Sequence, residues 1–573
     1  MPQGSVEAAQ PPLRDLTPGT ADHHDIVADD DGAIPKRHGS WRTSRTAVTV
    51  LLLGAGFVVL VALLYLSSVH AAAGNSDGAT VILEGKAMSG GNLTLNHWAL
   101  SLDSFWLVDV LAYAVAVLLG GVHPQLLHLV PAVVAAAVIA LGAWIAARGR
   151  SGLAAFAAAG TVVVLLGLPT HAFAEFFLMG PLHVTTMLWC LIAFVALRRA
   201  RLGIGWAVAV VFLAAGMLGD LQTAALGVAP VGLAGLVTML RGRSWRRGAP
   251  AVSAALASVA LAELIRRIAR AAGTFAIAPA NPRASFHQMT QNIHHVVTYG
   301  AALEGVGYHP FGSQSVPPVL GAAHAIGLAL GLAALVSGLV SIVWSSVSGE
   351  EPPSSPERRE AAWFNDTLVF AFFGGCAVYV WLSFSASGAF GRYLTSAVIA
   401  GSILAGRLLG AAADRSRRAA HSGSRPWFAW PAAVAALLVL AGYATTFAST
   451  LDRRPPVQPA VALTRYLQGR HLTRGIGDYW STSIVTVESS GGVVARPVIA
   501  VPGGRLARYL RQTSASWYGH GFQFLVYNTA APWGSVGAKT AIVSFGQPSH
   551  VASVGTYRVL TWPHDLSVPG SGR

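Results

Sequence analysis

Apolar residues in this chain fall in long unbroken runs, not in the alternating or three-in-seven spacing of half-buried strands and amphipathic helices. Residues 47–68 carry no charge and suffice to cross a hydrocarbon core, which takes about 20 residues as helix. Further runs lie at 124–147, 152–170, 183–197, 203–219, 221–240, 249–267, 318–345, 367–386, 393–410 and 428–448. The pattern predicts a polytopic α-helical membrane protein with about eleven transmembrane helices. Ala71, Ala72 and Ala73 mimic a signal-peptidase site, but the polar stretch before the first run is too long for a signal n-region, which favours an uncleaved helix.

Residues 1–46 are polar, hold Asp29, Asp30 and Asp31, and show no apolar periodicity, so they read as a disordered tail. An odd helix count puts this tail and the C-terminal segment on opposite faces. Arginine clusters at 148–150, 198–201, 241–247, 358–359 and 407–425 then share the tail's side, which the positive-inside rule makes cytoplasmic. The run 104–121 is left out of the count because it is short and holds Asp109 in its middle, which suits an interfacial helix. The expected organisation is a tail over 1–46, a multi-pass domain over 47–448 with outer loops 69–123 and 268–317, and an extracytoplasmic α/β domain over 449–573. In that last segment, 483–487, 493–501, 523–527, 540–544 and 556–561 read as strands. Residues 458–469 and 503–512 read as helices.

Composition places most of the chain in lipid, and the expected location is the plasma membrane. With 53% hydrophobic and 11% charged residues, the chain fits neither a soluble surface nor a disordered regulator. The net charge of +14 follows largely from the loop arginines and the basic C-terminal segment, so no nucleic-acid partner is implied. Cys190 and Cys376 sit inside apolar runs and read as packing residues.

Acids near apolar runs are costly and are functional candidates by default. Asp103, Asp109, Glu175, Asp220 and Glu263 gather at the expected outer ends. Asp103 reads either as a helix N-cap or as a catalytic carboxylate, and Asp109 as a group facing headgroups or a bundle cavity. Asp220 sits at a tight turn beside Gln222, and His183 opens a helix; each reads as a capping residue or as a ligand-binding group. Arg266, Arg267 and Arg270 fall on the outer side against the charge rule. They either pair with Glu263 and snorkel or grip a phosphate with their guanidinium forks. Arg392, with Tyr393, follows a small-residue loop that opens onto a helix, a place where an anion can sit. The loop 268–317 carries Asn281, His287, Asn292, His294, His295, Tyr308 and His309, suited to a polyhydroxylated ligand. Adjacent His294 and His295 without carboxylates do not make a zinc site. No metal site is expected and no cofactor is required, although the acids are compatible with a divalent cation.

The segment from Gly91 to Asp109 (GNLTLNHWALSLDSFWLVD), the Gly180-Pro181-Leu182-His183 turn and Gly475-Ile476-Gly477-Asp478-Tyr479-Trp480 look like segments of poorly characterised actinobacterial multi-pass proteins. Together with the uncleaved first helix, the acid-bearing first outer loop, the second long outer loop, Arg392-Tyr393 and the outer C-terminal domain, the arrangement resembles the GT-C glycosyltransferases of the PMT/ArnT-like type. That resemblance implies transfer of a sugar from a polyprenyl-phosphate donor, a lipid partner, to an extracytoplasmic acceptor. It assigns the acid to Asp109 or Asp103 and phosphate contact to Arg392. The usual Asp-Glu pair after the first helix is missing, since Asp77 and Glu84 stand apart. A non-enzymatic scaffold or sensor with a glycan- or protein-binding outer domain, and a transporter, remain the other readings.

Overall fold

The computed structural model describes residues 40–180, 183–199, 201–277, 283–307, 316–348, 355–383, 388–421 and 429–569. Two compact units divide between Gly54 and Ala55. The described part of the first is a single helical stretch, and the account below concerns the second. Most of the expected tail, residues 1–39, lies outside the described residues, as do Asn281, Tyr308 and His309.

Helix α1 (Ser40–Ala71) carries the first apolar run. The region after it forms a helix that the sequence did not announce, α2 (Ser76–Ser89), started by Asn75, whose side chain accepts from the Gly78 N–H at 2.9 Å. Strand β1 (Trp98–Leu100) and helix α3 (Asp109–Gly120) follow. With 12 residues, α3 rises about 18 Å and falls short of a core about 30 Å thick. It buries Val110, Tyr113 and Val117 and exposes Leu111, Leu118 and Leu119, so it is one-sided. Asp103 does not cap it, because the N-cap is Val108, and Asp109 is its first residue.

Next come α4 (Leu126–Ala147), α5 (Gly152–Gly167), α6 (His171–Phe177), α7 (Val184–Ala196), α8 (Ile204–Gly219), a π turn at Ala224–Val228, α9 (Ala229–Gly242) and α10 (Trp245–Ala271). The expected outer loop 268–317 holds β2 (Ala276–Ile277) and α11 (Phe286–Leu303). Helices α12 (Pro318–Val347) and α13 (Pro356–Trp381), a 3-10 turn at Gly388–Leu394, α14 (Thr395–His421) and α15 (Ala429–Leu451) complete the helical body.

Each of the expected apolar runs carries a helix among its described residues. Among the described residues, eight helices are long and apolar enough to cross a membrane, or nine if α5 and α6, bent by 87°, make one span. The remaining two, α7 and α8, have 13 and 16 residues and rise only about 20 and 24 Å. Lipid gives helices no hydrophobic reason to associate, so close packing through small residues has to do it. At the α9–α10 contact a Cβ on Gly248 would lie 2.0 Å from the Gly235 carbonyl oxygen.

The C-terminal segment adds α16 (Pro459–Gly469), β3 (Arg474–Gly477), α17 (Tyr479–Glu488), β4 (Val494–Ala500), β5 (Leu506–Arg508), β6 (Thr513–Ser514), β7 (Phe522–Asn528), α18 (Ala538–Phe545), β8 (His550–Val554) and β9 (Tyr557–Leu566). Six strands form a mixed sheet in the order β5-β4-β3-β7-β9-β8, with β3 parallel to both β4 and β7. Three local expectations are corrected. Residues 483–487 are helical because Asp478 caps α17 through the Ser481 N–H and the helix is buried on nearly every side, so its β-branched residues show no helical stripe. Residues 540–544 belong to α18, bounded by Gly537, whose N–H donates to Thr540 Oγ1 at 3.0 Å, and by Gly546 at φ +81°. The expected helix at 503–512 is instead strand β5, which pairs antiparallel with β4, and its flanking turns.

This segment is tied to the first expected outer loop. Strand β6 pairs with β1, which pairs with β2. Helix α17 packs on α2, where Tyr479 Oη donates to Asp77 Oδ1 at 2.6 Å and Thr80 Oγ1 to Ser483 Oγ at 2.9 Å.

Gly248→Ala should therefore lower the melting temperature in detergent, at a cost of about 1 to 3 kcal/mol for overpacking. Gly160→Ala, with nothing within 4 Å of the added carbon, should not. Equal melting temperatures for the two variants would contradict the close α9–α10 approach.

Candidate functional site

The loop between β1 and α3 is tied to the end of α8. The Phe105 N–H donates to the Gly219 carbonyl at 2.7 Å, and Ser104 Oγ to the Leu218 carbonyl at 2.9 Å. Phe105 adopts φ +53°, and a Cβ on Gly219 would lie 2.6 Å from Val108, so this passage needs glycine there. The consequence is that Asp103 lies beside Asp220, the residue that ends α8.

Asp220 is buried and fully engaged. Its Oδ1 accepts from the Gln222 N–H at 2.9 Å, and its Oδ2 accepts from His183 Nδ1 at 2.7 Å and from Thr186 Oγ1. His183 precedes α7 in a left-handed conformation, φ +69°, with its ring stacked on Tyr393 at 4.9 Å and 5.9 Å from Phe105. The Arg392 guanidinium lies 5.2 Å over the Tyr393 ring. Within 4.8 Å of one another, Asp103, His183 and Asp220 each offer one atom able to ligate a metal. Two residues after His183, Thr185 Oγ1 donates to Asp109 Oδ1 at 2.7 Å.

The electrostatics follow from this crowding. Burial and the Asp220 charge push Asp103 up to about 6, against the lowering pull of His183 and Arg392. Burial pushes Asp109 up to about 7, opposed by the Thr185 hydrogen bond. Burial works against a charged His183 and a charged Asp220 alike, but their contact outweighs it: His183 is raised and Asp220 lowered.

Asp109 Oδ2 is buried without a partner among the described residues. Interiors leave few such atoms unsatisfied, so it marks a place that a ligand, ion or water completes. Two carboxylates and an imidazole suit a divalent cation, and Asp103 raised by Asp220 is a pair of like charges that a cation would relieve. The residues therefore fit a metal that the sequence did not predict, because positions 103, 183 and 220 have no ligand spacing along the chain.

Asp103, Asp109, His183, Asp220, Arg392 and Tyr393 thus share one neighbourhood. The other candidates have different surroundings. Arg267 bonds Glu263 at 3.1 Å, the i,i+4 pairing weighed from sequence, Arg266 bonds it too at 2.8 Å, and exposed Arg270 follows in the last turn of α10. Gln222 gives Asp220 its backbone N–H, not its side chain. His295 stacks on Tyr299 at 5.0 Å. Thr185 and Thr186 were missed, although two hydroxyls directly after His183 in an apolar run were a visible signal.

No protein-family model matches the chain, and no curated protein matches it. Among solved structures it is similar to the Archaeoglobus fulgidus oligosaccharyltransferase. The apo form is 10% identical over 89% of this chain and 75% of that one, with a TM-score of 0.44. The complex with Zn and sulfate gives 11%, 85%, 70% and 0.42. The form tethered to an acceptor peptide containing the NVT sequon gives 12%, 82%, 69% and 0.43. Likeness at this level leaves the chemistry to the side chains.

If the cluster holds a divalent cation, saturating Mn²⁺ should raise the melting temperature, by up to about 2.7 kcal/mol of stabilisation at a hundred times the dissociation constant. Asp220→Asn should abolish the shift. Because the cation displaces a proton from Asp103, its affinity should climb as the pH rises through about 6. A shift that survives in Asp220→Asn, or affinity independent of pH, would contradict this site.

Proposed function

We propose that the chain is a membrane glycosyltransferase of GT-C type, moving a hexose or pentose from a polyprenyl-phosphate donor to an acceptor on the extracytoplasmic face of the cell membrane. The observation that carries this reading is the meeting of Asp103, His183 and Asp220 with Arg392 and Asp109 at the ends of apolar helices. Such a cluster suits a reaction in which a phosphate leaves and a hydroxyl loses a proton.

The acceptor oxygen attacks the anomeric carbon, forming the new glycosidic bond as the bond to the lipid phosphate breaks, and the electron pair leaves on the phosphate oxygen. Asp109 takes the acceptor proton. Its Oδ1 is held by Thr185, its Oδ2 is uncommitted, and its proton affinity is poised near neutrality, where a general base works best. Arg392, held against Tyr393, supplies fixed positive charge to the departing phosphate. Asp220, through Thr186 and His183, fixes the imidazole, and Asp103 is the carboxylate of the cluster that solvent reaches. A divalent cation bound by Asp103, His183 and Asp220 would add Lewis-acid neutralisation of the leaving group. Helices as short as α7 and α8 reach across only part of a bilayer, which suits a site that meets a donor whose phosphate lies at the headgroup level.

The test uses the purified protein in lipid nanodiscs with radiolabelled polyprenyl-phosphate mannose, glucose and arabinose, measuring donor binding and transfer separately. Wild type should transfer at least one of these sugars. Arg392→Ala should lower turnover about 10²- to 10³-fold, the usual effect of removing one charge-stabilising group. Asp109→Asn should bind donor but lose about 10²-fold or more in turnover. Unchanged turnover in Asp109→Asn would end its assignment as base. Binding without turnover in wild type would favour a receptor or scaffold, and neither would return the chain to the transporter reading.

A further inference from the structure

A cavity of about 390 Å³ opens where the C-terminal segment meets β1 and α2. Trp98 and Trp517, with ring centroids 4.9 Å apart, contribute its aromatic wall. Asn92, Asn96, His97, Ser514 and Ser516 contribute hydrogen-bonding edges, and Lys86 and Arg496 bring positive charge. No acid lines it.

Arg496 is the informative residue. Its guanidinium lies 3.9 Å from the Trp517 ring centroid, yet its Nε and Nη1 are buried and without a hydrogen-bond partner among the described residues. Stacking satisfies the face of a guanidinium and leaves its in-plane donors unserved. Burial pulls this group down only to about 10, so it stays charged at neutral pH. A half-buried cation stacked on Trp517, lining a cavity with no carboxylate among its described lining residues, calls for an anion, and the fork fits a carboxylate or a phosphate. Flanking tryptophans and amide and hydroxyl groups are the surroundings that bind sugar rings, with apolar faces stacked and hydroxyls hydrogen-bonded.

The cavity is also close to the candidate site. Trp98 precedes Asp103 by five residues, which span at most about 18 Å even fully extended. We infer that this cavity binds an anionic saccharide, a sugar bearing a carboxylate or a phosphate, as the acceptor chain next to the Asp103 site. The acceptor role rests on the glycosyltransferase reading, whereas the binding does not.

The test measures binding of trigalacturonate, mannose phosphate and neutral maltotriose to the full-length protein in nanodiscs by tryptophan fluorescence. At least one charged saccharide should bind about tenfold or more tightly than maltotriose, as a hydrogen bond to a charged partner predicts, and which one does so identifies the anion. Arg496→Gln should remove that advantage, and added salt should weaken it. Lys86→Gln, at an exposed position that does not endanger folding, should weaken it by a smaller factor. Asp220→Asn should leave it unchanged. Equal binding of the three saccharides, or charged-sugar affinity indifferent to both Arg496→Gln and Lys86→Gln, would overturn the inference even if sugar transfer is observed. Charged-saccharide binding without transfer would overturn the acceptor role and leave a glycan-binding site.

Discussion

The candidate site depends on the hydrogen bond from the Phe105 N–H to the Gly219 carbonyl and on the side-chain-free approach that Gly219 allows to Val108. Without that contact, only the Ser104 hydroxyl, bonded to the Leu218 carbonyl, holds the Asp103 loop to α8. With it, a residue from the first expected outer loop stands against Asp220 from the α8–α9 turn and His183 from the start of α7. Three stretches far apart in sequence become one polar cluster. The tie uses the Phe105 main chain and the Ser104 hydroxyl, which leaves the side chains of Asp103 and Asp109 available for chemistry.

Charge is expensive here, and the arrangement shows how the expense is met. Asp220 accepts three hydrogen bonds and faces an imidazole, while Asp109 accepts one and has an uncommitted oxygen. The first is thereby fixed as a charged anchor and the second kept near its protonation midpoint. Neighbouring carboxylates whose surroundings drive them apart in this way are what proton-transfer chemistry requires. Tyr393 links the two halves, stacking on His183 while carrying Arg392 against its ring.

Much of this was legible in sequence for one physical reason: a carboxylate beside an apolar run has to be explained, and Asp103, Asp109 and Asp220 each stood at such a place. The helical body was legible because long apolar runs admit little besides helix. What sequence could not supply was distance. Nothing in the spacing of 103, 183 and 220 indicates that their ligand atoms converge, and Thr185 and Thr186, though two hydroxyls in an apolar run, gave no partner until their bonds to Asp109 and Asp220 were seen. Arg266 and Arg267 illustrate the opposite limit, since basic residues on an unexpected face are equally well explained by Glu263 one turn away. In the C-terminal segment, the β-branched stretch at 483–487 misled because a helix buried on nearly all sides loses its periodic signature.

The docking of the C-terminal sheet on α2 and β1 joins the two polar regions of the molecule. Strand β1 borders the Trp98–Arg496 cavity and leads directly into the loop that carries Asp103. The most direct test of the central claim is anomalous diffraction from crystals of the protein grown with Mn²⁺. A peak between the side chains of Asp103, His183 and Asp220, lost in Asp220→Asn crystals, is the predicted result. Manganese bound elsewhere, with these three side chains unchanged, would contradict the account.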